Sequence, residues 1–173
     1  MRHPILVAGI GNVFLSDDGF GVAVVRRLAE AALPRPVDVV DYGIRGVHLA
    51  YDLLDGRVET LILVDALPMD EVPGTIAVID VDLNDPQWTL GLAGAAPDAH
   101  GMDPASTLRL LVSLGGGVDQ VRVVGCQPDR LDEGMELSDV VRAAVEPASE
   151  LVIRIVNDAA ARLAATEEVD EYA

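Results

Sequence analysis

Three short, nearly unbroken apolar runs constrain this chain more than any other feature: ILVAGI (Ile5 to Ile10), TLILVD (Thr60 to Asp65) and VRVVGC (Val121 to Cys126). Each has the length of a strand and is bounded by Gly, Asp or a turn residue, as expected for strands covered on both faces in a parallel sheet. Helical patterns lie between them. Gly19 to Leu33 places Val22, Val25, Leu28 and Ala29 on one face and is stopped by Pro34 and Pro36. Val37 to Asp41 reads as a second strand and Gly46 to Leu54 as a short helix. Asp103-Pro104, an N-cap followed by the residue favoured at the first helical position, opens a helix to about Leu114. Ser138 caps a last helical region to about Ala165, expected to break near Pro147.

TIAVID (Thr75 to Asp80) differs from the other strands. It follows Asp65 too closely for a parallel crossover, which takes roughly ten to twelve residues or more. It is expected at a sheet edge, antiparallel to the third strand. A long loop from Val81 to Gly101 separates it from the Asp103 helix. Strands alternating with helices imply a three-layer α/β/α fold with a mostly parallel twisted sheet and one antiparallel edge strand. At 173 residues the chain reads as one domain over residues 1–165, with an acidic tail at 166–173.

Charge narrows the function classes. Twelve basic residues against 29 acids give a formal net charge of −17, which argues against nucleic acid or an anionic membrane as partner. No run approaches the roughly 18 apolar residues of a membrane helix, and the N-terminus lacks a signal-peptide cleavage pattern, so a cytoplasmic protein is expected. The single Cys126 excludes an internal disulfide and a cysteine metal cage, and its setting reads as a small buried apolar residue. Gly9-Ile10-Gly11 lacks the third glycine of a dinucleotide fingerprint, because Phe14 stands there.

Ligands of open α/β sheets bind at the carboxyl ends of the parallel strands. Asp18 follows the first strand, Asp65 ends the third, and His100 precedes the Asp103 helix, so all three are expected at that edge. Two carboxylates and an imidazole from separate loops suit a divalent metal such as nickel or zinc, or acid–base hydrolysis. The same residues also have ordinary readings. Asp17 or Asp18 caps a helix, Asp65 accepts backbone hydrogen bonds, and a loop histidine is solvated. His3 and His48 read as structural or exposed.

Several motifs in order resemble the maturation endopeptidases of nickel–iron hydrogenases. GIGNVFLSDDGFG resembles the family's G-x-G-N followed by D-[DE]-G-x-G; LILVDALP and Pro73-Gly74-Thr75 resemble its middle-Asp strand and turn. Asp98-Ala99-His100-Gly101 resembles its histidine loop, and VVGCQPDRLDEGMELSDVV its late segment and following helix. The resemblance spans Ile5 to about Ala164. It implies a five-stranded sheet between helical layers and removal of a C-terminal extension from the hydrogenase large-subunit precursor after nickel insertion. It places the metal-contacting acid, acid and histidine on Asp18, Asp65 and His100, with Asp18 standing where many members have Glu. It places Gly43, Arg45 and Gly46 in a loop beside the substrate, Arg45 either pairing with a substrate carboxylate or simply exposed. Nickel then serves as a recognition element carried by the substrate, as a Lewis acid, or beside carboxylates acting as acid and base. The first is favoured, with water activated by Asp18 or Asp65. The alternative is a non-catalytic metallochaperone that docks the nickel-loaded subunit.

Overall fold

The computed structural model describes residues 4–34, 37–85, 87 and 103–171, with side chains as far as 166. Five strands form one sheet: β1 (Ile5–Ile10), β2 (Val37–Gly43), β3 (Thr60–Ala66), β4 (Ile76–Val81) and β5 (Gln120–Cys126). Four α-helices join them among the described residues: α1 (Phe20–Leu28), α2 (Gly46–Leu53), α3 (Pro104–Ser113) and α4 (Asp139–Glu171). The sheet order is β2-β1-β3-β5-β4, with the first four strands parallel and β4 antiparallel to β5.

Alternation along the strands builds the three layers. Ile5 and Val7 of β1, Ile62 and Val64 of β3 and Val124 of β5 face α1 and α4, packing on Val24, Val25, Val141, Ala148 and Val152. Leu6, Ala8 and Ile10, with Leu61, Leu63 and Val123, face α2 and α3, packing on Leu49, Leu53, Leu108 and Leu111. β1 and β3 are buried along their whole lengths, which accounts for their unbroken apolar sequence. β4 is only partly buried, as suits an edge.

Three expectations are corrected in detail. β4 does not lie beside β3; β5 stands between them. The turn before β4 hooks onto the end of β5, where Gln127 N–H donates to Thr75 O and Gly74 N–H to Gln127 O, each at 2.8 Å. The more buried β5 thereby takes the interior position. The first helix ends at Leu28 rather than Leu33, since Ala29 and Glu30 are exposed and add nothing to the apolar face. The last helix runs unbroken through Pro147. Pro147 and Ala143, whose carbonyl loses its i+4 donor, both lie on the exposed side, so water can serve that carbonyl. On the opposite side, Ala144, Ala148, Val152 and Val156 stay seated on the core.

Candidate active site at the carboxyl edge of the sheet

An acidic site forms where β1 and β3 end. Between β1 and α1 the chain makes a 3-10 turn, Ser16–Gly19, which carries Asp17 and Asp18. Gly11 makes this turn possible. Its φ of +129 lies outside the range that side chains favour, and a Cβ there would fall on the Asp18 carbonyl oxygen. The same Cβ would stand 3.4 Å from Asp65 Oδ1, so Gly11 is the spacer between the Asp18 turn and the Asp65 carboxylate. Helix α1 is drawn equally close: at Gly21 any side chain would strike the Val64 and Ile10 carbonyls.

Asp65, next to last in β3, is 5% exposed, and its Oδ1 has no hydrogen-bond partner among the described residues. Burial pushes its carboxyl well above the usual range, and the neighbouring charge of Asp18 pushes it further; the Ala66 N–H partly offsets this and Asp103 adds to it. Asp18 is half-buried and accepts a 2.6 Å hydrogen bond from Asn12 N–H on Oδ2. The two carboxylates therefore share an edge, as topology predicts. His100 lies outside the described residues, as does His3. Among the described residues no group of three His, Cys, Asp or Glu side chains could hold a metal ion.

The Gly43-to-Gly46 loop borders the same edge. Gly43 ends β2 and accepts the Gly11 N–H at 3.0 Å, and Gly46 is buried at the start of α2. The Arg45 side chain is exposed and folds back, donating to Asp41 O at 2.6 Å and Tyr42 O at 3.2 Å. It braces its own loop while remaining open to solvent.

Two acids have roles that sequence reasoning missed. Asp17 is fully buried and accepts hydrogen bonds from the N–H groups of Asp129 (2.9 Å), Arg130 (3.0 Å) and Ser138 (2.6 Å) and from the Ser138 hydroxyl (2.9 Å). It clamps the β5–α4 loop rather than capping α1. Burial raises its carboxyl, but these hydrogen bonds outweigh burial and leave it below its ordinary value. Asp103 does cap α3, accepting the Ser106 N–H at 2.7 Å, yet it is also close enough to act on Asp65. The signal for Asp17 is the adjacent Asp17-Asp18 pair at a helix start, since both side chains cannot point the same way. Cys126 is fully buried in the α1/α4 layer, and burial pushes its thiol up to about 12.

The fold and this edge define a three-layer α/β protein whose sheet edge presents a pair of carboxylates, one from the turn after β1 and one from the end of β3. Comparison with known proteins makes the class specific: the sequence pattern of the HycI hydrogenase maturation protease family matches residues 22–155, and the chain belongs to that family of peptidases. It is 36% identical over 155 residues to a protein of Methanocaldococcus jannaschii assigned as a hydrogenase maturation protease, covering 88% of this chain and 96% of that one. It is 29% identical over 156 residues to the hydrogenase 2 maturation protease of Escherichia coli, covering 89% and 91%. The structure of the E. coli hydrogenase maturating endopeptidase HybD superposes with a TM-score of 0.75 at 30% identity, covering 92% of this chain and 94% of that one. No helix among the described residues is long and apolar enough to cross a membrane.

Proposed function

We propose that this protein is a cytoplasmic endopeptidase that removes the C-terminal extension of a nickel–iron hydrogenase large-subunit precursor once nickel is in place. The observation that carries this reading is Asp65: a buried carboxylate with an unpartnered oxygen, beside Asp18, on the edge where this fold class binds ligands. Nickel arrives as part of the substrate. Asp18, Asp65 and His100 complete its coordination and so set which peptide bond lies over the carboxylates. Asp18 or Asp65 takes the proton from a water molecule as its oxygen attacks the scissile carbonyl carbon. As the carbon–nitrogen bond breaks, that proton passes to the departing amine. Gly43 lets the substrate backbone approach, the buried Gly46 shapes the loop's entry into α2, and Arg45 is the group assigned to pair with a substrate carboxylate.

The test is the mass of nickel-loaded and nickel-free precursor after incubation with the purified protein, together with metal analysis of the resting protein. The expected result is shortening of the loaded precursor only, with little metal in the resting protein. Asp65→Asn should cut the rate by at least about 100-fold, the lower range of acid–base contributions, while the protein stays folded. Binding without shortening would instead identify a metallochaperone. Stoichiometric, tightly held metal with nickel-independent cleavage would identify an ordinary metalloprotease.

A further inference from the structure

Two loops that leave the sheet beside Asp18 are fused into one body. Gly134 N–H donates to Phe14 O at 2.9 Å, Ser16 N–H to Gly134 O at 2.8 Å, and the Ser16 hydroxyl to Asp132 O at 2.9 Å. Leu15 and Gly134 form an isolated parallel bridge. The Asp17 carboxylate completes the seam through its four hydrogen bonds. On the outside of this seam three large apolar side chains stand in solvent: Phe14 at 62% exposure, Leu131 at 44% and Met135 at 74%. The carboxylates of Asp129, Asp132, Glu133 and Glu136 are exposed among them. Among the described residues Asp129, Asp132 and Glu133 make no ion pair, and Glu136 reaches only Arg142, at 4.0 Å.

We infer that the Phe14–Leu131–Met135 ridge is a docking surface for the substrate protein, fitted to an apolar segment flanked by Lys or Arg side chains. This rests on the protease reading above. Because the backbone beneath them is already tied by the seam, binding costs only side-chain freedom, least for the two-torsion Phe14, and the unbranched Met135 can adapt its shape to an apolar partner. Of the surrounding acids, Asp129, Asp132 and Glu133 have no ion pair among the described residues and select a basic neighbour, and a net charge of −17 repels a second copy of this chain. Since Asp18 lies only two residues beyond Ser16, a partner seated on the ridge has its distance to the carboxylates fixed by the same clamp.

The experiment is steady-state cleavage of nickel-loaded precursor by wild type, Phe14→Ser/Met135→Ser and Asp132→Lys/Glu133→Lys, each checked for an unchanged melting temperature. Met135→Ser alone replaces the double variant if that one unfolds. Loss of the anchors should raise KM by about 10-fold or more, with kcat kept within about two-fold. Charge reversal should raise KM at low salt and flatten its salt dependence. An unchanged KM in both variants, with wild type active, overturns the docking surface and leaves the protease reading standing. An inactive wild type overturns both. If sedimentation shows that wild type is dimeric and the apolar variant monomeric, a second copy covers the ridge and the assignment to substrate is wrong.

Discussion

The Asp17 carboxylate is held by four donors from the far end of the chain, whereas Asp18 accepts a hydrogen bond from Asn12 within its own loop. Because these donors hold Asp17 below its ordinary value of 3.8, its contribution to stability is present above that pH and is lost as pH falls through its folded value. Asp17→Asn should therefore cost roughly 2–4 kcal/mol near pH 7, where charged hydrogen bonds are lost and an amide faces N–H donors. In urea titrations the gap from wild type should narrow below about pH 4. Cys126 leads to the opposite expectation. With its thiol pushed up to about 12 and its side chain sealed in the core, Cys126→Ser should keep kcat within a few-fold and cost about 1–2 kcal/mol for the buried hydroxyl. Abolished cleavage by folded Cys126→Ser would make the thiolate the nucleophile. Asp18 and Asp65 were legible from sequence because strand polarity alone puts both on one edge. Asp17 was not, because its partners lie 112 to 121 residues away and no local pattern announces them.

At the scale of elements, apolar patterning located all five strands: β1 and β3, buried on two faces, leave unbroken runs, and the half-buried β2 and β4 leave shorter ones bounded by Pro, Gly and Asp. Patterning could not order them. The place of β5 between β3 and β4 depends on how the turn at Gly74 hooks onto Gln127, a contact with no local sequence signature. Nor could local rules settle α4, where proline chemistry and a long apolar seam give opposite answers. Burial of the seam won, because the proline's cost falls on a solvent-facing carbonyl. That cost should be recoverable. Pro147→Ala restores a helical donor at an exposed position and should stabilise the protein by about 1–3 kcal/mol, read as a higher urea midpoint at unchanged slope. A neutral or destabilising result would mean that the restriction Pro147 places on the unfolded chain outweighs the hydrogen bond it removes.

Across the whole molecule the 29 acids outnumber the bases by 17, and the salt bridges among described residues are surface pairs such as Arg27–Glu146 at 2.7 Å. Self-repulsion should weigh on the native state more than those pairs relieve it. Raising sodium chloride from about 10 mM to about 500 mM shrinks the screening length to a few ångströms and should raise the melting temperature by a few degrees. A falling melting temperature would show that native ion pairs outweigh the repulsion. The Asp17 clamp also bears on how the chain is made. A ribosome makes the turn that bears Asp18 within about the first ninth of synthesis, yet Ser138, which finishes that turn, is added only in the last quarter. Strands β1 to β3 can begin to assemble on the nascent chain while the Asp18 turn still lacks its anchor. On the protease reading proposed above, an unfinished polypeptide thus exposes no completed edge to neighbouring chains, and competence arrives only once α4 has begun to leave the exit tunnel.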